Sequence, residues 1–156
     1  MNDPIKFWLD VANIFANAFS GCRKVHVGSA IVDEKSQRII SLGTNRTYPF
    51  NCKYVGCLRE QLYGDNSKTH RNPGDCRAIH SEVDAILKAK TDVTNMSIFV
   101  TRYPCEACAR AIVDAGISRV YYGRAQSISD ETAKIFYAYG VEVIHVSDWE
   151  EEDVVE

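Results

Sequence analysis

Apolar residues recur at two spacings along this chain, and the spacing separates predicted helices from predicted strands. A repeat at i, i+3 and i+4 from Pro4 to Phe19 predicts an amphipathic helix, with Asp3 as its N-cap and Gly21 at its end. Similar spacing predicts three later helices, at His80–Lys90, Cys105–Ala115 and Ser129–Tyr139. Short apolar runs between turn residues predict strands at Val25–Val32, Arg38–Leu42, Met96–Thr101, Val120–Tyr122 and Val141–Val146.

The order of these elements predicts how they assemble. The first two strands flank Asp33-Glu34-Lys35-Ser36, which indicates a β-hairpin. In the second half strands and helices alternate, as expected for a mixed or parallel sheet with helices on both faces. Because no repeat or linker interrupts the pattern, residues 1–156 are predicted to form one domain.

One long segment, residues 45–77, shows little periodicity. It is rich in Asn, Gly, Pro and Asp, and it contains Cys52, Cys57, His70 and Cys76. Long irregular segments in compact domains are usually functional or disordered, and the cysteines and histidine indicate that something fixes this one. The acidic tail from Asp148 is predicted to be a solvated end.

Composition limits the classes of function. Charged residues make up 25% and hydrophobic residues 46% of the chain, as in ordinary globular proteins. A net charge of −3 argues against a nucleic-acid partner but allows a small anionic ligand. There is no apolar run long enough to span a membrane and no signal-peptide pattern, so we expect a cytoplasmic protein. There, the six cysteines are better interpreted as metal ligands or buried thiols than as disulfides.

The strongest chemical signal is His80-Ser81-Glu82 followed by Pro104-Cys105-Glu106-Ala107-Cys108. One histidine and two cysteines provide three ligands, and a catalytic zinc keeps its fourth position open for water. Zinc lowers the pKa of that water from ~15.7 towards 7. Glu82 lies two residues, or about 200° on a helix, beyond His80, so it is free to act as a base on the water. This H-x-E … P-C-x-x-C pattern is the signature of zinc-dependent base deaminases.

The cysteine pair has other interpretations. A C-x-x-C that opens a helix after a strand is also typical of redox pairs, and it also occurs in structural zinc sites. In both cases His80 would be a core histidine. A zinc-stapled binding module, in which Glu82 has no role, is the non-enzymatic alternative. Glu82 and the lack of a second nearby C-x-x-C favour the catalytic zinc.

These motifs resemble those of the deoxycytidylate (dCMP) deaminases, within the cytidine deaminase-like zinc enzymes. The resemblance extends over the runs Val27–Val32, Ile39–Asn45, Val100–Cys105 and Asp130–Ala133. It implies a three-layer α/β/α sandwich with a mixed five-stranded sheet. It also implies hydrolytic deamination of dCMP to dUMP. The alternative is deamination of another free nucleoside, base or modified cytosine nucleotide.

The resemblance implies roles for individual residues. His80, Cys105 and Cys108 become the zinc ligands, Glu82 the proton shuttle, and Asn45 a contact to the sugar or base of the substrate. Arg46 stands where the family usually has glycine, which leaves control by dCTP and dTTP open, and Arg46 is predicted to supply charge to the phosphate. Tyr103 is predicted to stack on the base or to pack within its loop. Weaker candidates near the phosphate are Lys24 and Arg102, and Ser81 replaces the family's usual alanine.

A second, structural zinc is also predicted from the resemblance. Some dCMP deaminases carry one, and Cys22, Cys52 and His70 are similar to its ligands. The usual fourth ligand, a carboxylate two residues before the catalytic histidine, is Ala78 here. Cys76 is predicted to replace it in a Cys₃His site that would hold residues 45–77 in place. Cys57 is then a spare thiol or takes the place of Cys52.

A homo-oligomer, such as a hexamer, is a further implication of the resemblance. The last predicted helix carries Phe136, Tyr137 and Tyr139, which are too apolar for complete exposure. Packing within one chain is the alternative explanation for these aromatic residues.

Overall fold

The strands form one mixed sheet in the order β2-β1-β3-β4-β5 in the computed structural model of the chain. The structure describes residues 3–47, 49, 51–68, 73–125 and 128–152. Strand β1 pairs antiparallel with β2 and β3, whereas β3, β4 and β5 run parallel. The strands are β1 Gly28–Asp33, β2 Arg38–Thr44, β3 Ser97–Arg102, β4 Arg119–Arg124 and β5 Glu142–His145.

Helices cover both faces of the sheet, which confirms the predicted three-layer α/β/α sandwich. On one face, α1 buries Trp8, Leu9 and Ala12 against the sheet; on the other, α4, α5 and α6 enclose a second core around Ile98 and Ile112. Within the described residues no helix has the length and apolarity to cross a membrane. The α-helices are α1 Pro4–Phe19, α2 Cys52–Val55, α3 Leu58–Tyr63, α4 Ser81–Ala89, α5 Glu106–Asp114 and α6 Asp130–Ala138.

Strand β1 begins three residues later than predicted, at Gly28 rather than Val25. The reason lies in the side chain of Asn45, which replaces a neighbouring strand here. Its Oδ1 accepts from the backbone N–H of Val27 at 3.0 Å, and its Nδ2 donates to the carbonyl of Val25 at 2.8 Å. These bonds satisfy the backbone of Val25–Val27 without extending the ladder.

Residues 45–77, predicted to be irregular, contain short helices instead. Besides α2 and α3 there are two 3₁₀-helices, Gly64–Lys68 and Pro73–Asp75. The Tyr63 hydroxyl donates to Asp75 at 2.5 Å, and Arg77 donates to the carbonyl of Gly56 at 3.2 Å. Hydrogen bonds between distant residues therefore hold this segment, and no local periodicity would have revealed them.

The prediction of a solvated tail from Asp148 is wrong for the part of the tail that the structure describes. Trp149 is only 7% exposed, and its Nε1 donates to Asp10 of α1 at 2.8 Å. Its ring covers Gly123, where any side chain would collide with it, since a Cβ would lie 2.3 Å from a ring carbon. The tail packs against the domain because burying the large indole ring of Trp149 stabilises it there, although the residues around it are acidic.

Candidate metal centre

The three predicted metal ligands meet where two helices begin on the same side of the sheet. His80 is the N-cap of α4 and Cys105 is the N-cap of α5, while Cys108 lies in the first turn of α5. Helix α5 directly follows β3, so the site lies at the carboxyl end of a parallel strand, the usual ligand position in α/β sheets. The positive ends of both helix dipoles favour anionic groups such as thiolates there.

The distances between the ligand atoms fit a zinc ion. The Nδ1 atom of His80 lies 3.5 Å from the Cys105 sulfur and 3.3 Å from the Cys108 sulfur. Zinc bond lengths of about 2.0–2.1 Å to nitrogen and about 2.3 Å to sulfur place the two atoms about 3.6 Å apart in a tetrahedron. Among the histidine, cysteine and carboxylate side chains that the structure describes, these three are the only ones whose ligand atoms converge closely enough to hold a metal ion.

The two thiols share a hydrogen bond, which shifts their pKa values in opposite directions. Hydrogen bonding with Cys108 and with His80 lowers the pKa of Cys105 from 9.0 to about 3. The pKa of Cys108 is raised, first because its hydrogen bond to the Cys105 sulfur stabilises the protonated thiol and then because it is buried. A lowered pKa makes the Cys105 thiol give up its proton more readily, and zinc binds cysteines as thiolates.

Glu82 lies beside these ligands and is almost fully buried, with 4% of its surface exposed. Its Oε2 accepts a hydrogen bond from the hydroxyl of Ser81 at 3.1 Å, and Ser81 in turn lies 2.7 Å from the hydroxyl of Ser29. Burial raises the pKa of Glu82, so this side chain takes up a proton more readily than an exposed glutamate does and holds it more firmly. The arrangement suits a group that takes up and then returns a proton.

Two contacts fix the start of α4, which carries both His80 and Glu82. Gly43 of β2 lies so close to this helix that a Cβ would lie 2.2 Å from the carbonyl oxygen of Ser81. Arg46 and Ile79 exchange both backbone hydrogen bonds, at 3.0 and 2.7 Å. The residue directly before His80 is therefore held to the end of β2.

Asn45, predicted to contact the sugar or base, is 7% exposed and mostly engaged within the protein. Its Oδ1 accepts from the Ser20 hydroxyl at 2.6 Å and from the Val27 N–H at 3.0 Å, which uses both lone pairs. One of its two Nδ2 hydrogens goes to the carbonyl of Val25. Only the second Nδ2 hydrogen is left for a substrate.

Arg46, predicted to face the phosphate, forms an ion pair with the buried carboxylate of Asp84, with 3.3 Å between Nε and Oδ1. Both residues line a cavity of about 500 Å³ beside β2, together with Phe15, Phe19 and Lys88. None of the three metal ligands is among the described residues that line this cavity. The structure therefore does not bring Arg46 and the metal ligands together around one cavity.

The other predicted substrate contacts also have partners. Tyr103 packs edge-on against Tyr122, with ring centres 4.8 Å apart, and burial raises its pKa. Lys24 pairs with Glu60 at 3.2 Å, and Arg102 lies 3.9 Å from Glu151. Each candidate cation thus lies near a carboxylate of the same chain.

The predicted structural zinc ligands are only partly covered by the structure. His70 lies outside the described residues. Cys52 is buried, and Cys22 and Cys76 are half-buried; these three do not form a second converging group among the described residues. All six cysteines lie within the described ranges, and no disulfide joins any of them.

Two residues near the site escaped the sequence analysis. Ser29 is fully buried in β1 and extends the hydrogen-bonded chain that ends on Glu82, but a serine in a strand carries no recognisable signal. Arg59 of α3 is close enough to His80 for its charge to lower the pKa of the imidazole, although other contacts raise that pKa overall. Arg59 lies in residues 45–77, where no apolar periodicity or motif indicated a role for it.

Comparison with known proteins gives the same picture. Residues 3–124 match the family model described as the cytidine and deoxycytidylate deaminase zinc-binding region. The deoxycytidylate deaminase of Saccharomyces cerevisiae is 32% identical over 153 residues, which cover 96% of this chain and 46% of the yeast protein. ComE operon protein 2 of Bacillus subtilis is 32% identical over 132 residues, covering 81% of this chain and 63% of its own length. The chain therefore spans about half the length of the yeast relative.

A solved structure of similar length shows the same fold. The dCMP deaminase from the cyanophage S-TIM5, crystallised in complex with dCMP and dUMP, superposes with a TM-score of 0.71 at 27% identity. The match covers 94% of this chain and 99% of the phage chain. The layer order and sheet described above are thus those of an established deaminase structure.

Proposed function

Because this chain belongs to the cytidine and deoxycytidylate deaminase family, whose zinc-binding region matches residues 3–124, we propose that it hydrolyses dCMP to dUMP and ammonia. The names of its relatives support this choice of substrate. The observation that carries the proposal is the convergence of His80, Cys105 and Cys108 beside the buried carboxylate of Glu82. A redox pair or a structural zinc site has no need of that carboxylate.

The residues of this chain divide the chemistry between them. His80, Cys105 and Cys108 would hold a zinc ion, which lowers the pKa of water and supplies a nucleophile at neutral pH. Glu82 takes the proton that water loses as it adds to the ring carbon bearing the amino group. The same carboxyl group then gives the proton to the departing amine, so that ammonia leaves and the ring keeps the oxygen. Ser81 holds Oε2 of Glu82 in place through both transfers.

Ammonia release from several substrates tests this proposal. Zinc-loaded protein is incubated separately with dCMP, dCTP, deoxycytidine, guanine and 5-methyl-dCMP, and ammonia is measured over time. We expect dCMP to give the highest kcat/KM. Activity on deoxycytidine or guanine without activity on dCMP would reject dCMP as the substrate and favour another member of the same enzyme class.

Substrate contacts are part of the same proposal. Asn45 would reach the sugar or base through its remaining Nδ2 hydrogen, and Tyr103 would stack on the base from the loop before Cys105. Arg46 would assist the phosphate only by leaving Asp84, because that carboxylate now holds it. A structure with bound dUMP would test all three contacts at once.

A second, structural zinc also belongs to the proposal, with Cys22, Cys52, His70 and Cys76 as its ligands. Two observations support it. The backbone N–H of Lys24 donates to the Cys22 sulfur at 3.4 Å, as is common for thiolates. Gly21 packs against Thr47, and the Thr47 hydroxyl accepts from the N–H of Cys52, so the chain near Cys22 approaches the chain near Cys52.

Metal analysis of carefully reconstituted protein tests the second zinc. We expect two zinc ions per chain in the wild type and in Cys57→Ser, and one in Cys76→Ser, together with faster proteolysis of residues 45–77. A wild-type stoichiometry of one would contradict the second site. Loss of one zinc from Cys57→Ser would instead identify Cys57 as a ligand.

Three broader expectations stay predictions. These are a single deaminase domain over residues 1–156, a cytoplasmic location and a homo-oligomer such as a hexamer. For the oligomer, Tyr137 and Tyr139 of the last helical region are 89% and 71% exposed, whereas Phe136 is buried within the chain. Light scattering at micromolar concentration tests the oligomer, and a monomeric mass would count against it.

A further inference from the structure

Arg59 differs from every other cation near the metal centre. Within the part of the chain that the structure describes, its side chain has no carboxylate partner and no hydrogen bond, and its Nε is buried without an acceptor. A buried donor without an acceptor costs free energy, more so when the group is charged. Arginines in such positions are commonly satisfied by a ligand with anionic oxygens.

Three neighbouring cations, Arg23, Lys24 and Arg46, are paired with carboxylates. Glu60 follows Arg59 in α3, and its two carboxylate oxygens pair with Arg23 at 3.3 Å and with Lys24 at 3.2 Å. Successive residues of a helix point in different directions, so Glu60 does not turn towards Arg59. Arg46 is held by Asp84 in the same way. Arg77 has no carboxylate partner either, but it donates to the carbonyl of Gly56 and to Gln61. Among the described residues, Arg59 is therefore the cation of this group that has neither a carboxylate nor a hydrogen bond.

Helix α3 is fixed in relation to the metal ligands. Gln61 of this helix accepts from Arg77 at 3.3 Å, and Arg77 also donates to the carbonyl of Gly56 at 3.2 Å. Arg77 lies three residues before His80, in the stretch that the Arg46–Ile79 backbone bridge ties to β2. On its other side, the helix is held through Glu60 to the loop before β1. Helix α3 is thus tied to the stretch before His80, and Arg59 on this helix is close enough for its charge to act on the imidazole.

We propose that Arg59 binds the 5′-phosphate of the substrate and makes the enzyme select nucleoside monophosphates over nucleosides. The inference rests on the proposed deamination of dCMP. In a nucleotide the phosphate lies at the opposite end from the amino group that leaves, so its partner should lie beside the metal centre rather than within it. The guanidinium offers a fork of N–H donors that matches phosphate oxygens.

Kinetics of Arg59→Ala and Arg59→Lys with dCMP and deoxycytidine test the proposal. We expect Arg59→Ala to lower kcat/KM for dCMP by about 10- to 100-fold, mainly through KM, and to affect deoxycytidine at least tenfold less. Arg59→Lys should restore part of the loss because it keeps the charge but not the fork. Arg23→Ala is the matched control, since it removes one positive charge from the same region and should change both substrates by less than about threefold.

Binding of the product gives a readout that does not depend on turnover. Calorimetry should show that wild-type protein binds dUMP at least about tenfold more tightly than deoxyuridine, and that Arg59→Ala abolishes this difference. If the wild type deaminates dCMP and Arg59→Ala keeps both the wild-type KM and the preference for dUMP, the phosphate role is overturned and the proposed function stands. If the wild type does not deaminate dCMP at all, the proposed function itself fails.

Discussion

Replacing Glu82 by glutamine should remove nearly all turnover and leave the zinc ligands intact. Glutamine has the same length, and its side-chain oxygen can still accept the hydrogen bond from Ser81 that now goes to Oε2. What the amide cannot do is take the proton from water or return it to the leaving amine. The substitution therefore separates proton transfer from structure.

The expected size of the effect follows from the two roles proposed for this carboxylate. A positioned general acid or base contributes about 10²- to 10⁴-fold to a rate. Because Glu82 is proposed to serve both proton transfers, we expect kcat to fall by about 10³-fold or more, equivalent to about 4 kcal/mol in the activation barrier. Stability should not fall, since Glu82 is 4% exposed and its burial disfavours the charge that the substitution removes.

The assay is ammonia release from dCMP, with zinc content measured on the same samples. Glu106→Gln is the matched control, because Glu106 lies in the first turn of α5, beside Cys105, but its exposed side chain pairs with Arg110. We expect the control to keep zinc and at least half of the activity. Undiminished turnover by zinc-loaded Glu82→Gln would refute the proton-shuttle role.

Further predictions concern packing and pH. Gly43→Ala should destabilise the fold by at least about 1–3 kcal/mol and weaken zinc binding, because its Cβ would lie 2.2 Å from the carbonyl oxygen of Ser81; urea unfolding and zinc titration measure both effects. Trp149→Ala should cost about 3–5 kcal/mol in urea unfolding, because it empties a site where the ring is 7% exposed, and an unchanged midpoint would contradict the packed tail. Burial raises the folded-state pKa of Glu82 above 4.5, so the stability from its proton is present below pH 4.5 and is lost as pH rises through the folded pKa. In zinc-free protein, Glu82→Gln should therefore gain stability relative to wild type across that window, and a constant difference would contradict the shift.

The metal centre could be predicted from sequence because its chemistry is carried by short motifs. His80 and Cys105 each stand at the start of a helix whose apolar spacing is regular. The sequence therefore indicated both the ligands and the helices that position them. Helix α1 was predicted with its correct bounds for the same reason, since its cap and its apolar face are both local.

Features that depend on distant contacts could not be predicted. Asn45 was assigned to the substrate, yet most of its amide serves the backbone of Val25–Val27, about twenty residues away in the chain. Trp149 reverses the expectation for the acidic tail through its contact with Gly123. Arg59 became conspicuous only when the carboxylates nearby were seen to be paired with other residues. Side-chain pairing across the fold leaves no periodic signal in the sequence.

The most direct test of the account follows dCMP, dUMP and bound zinc in one experiment. Protein stripped of metal by a chelator is titrated with zinc, and the conversion of dCMP to dUMP is measured by chromatography at each addition. The proposed zinc-dependent function predicts no conversion without zinc and a return of turnover that follows occupancy of the site formed by His80, Cys105 and Cys108. Full turnover by the stripped protein, or a zinc-loaded protein that leaves dCMP unchanged, would contradict it.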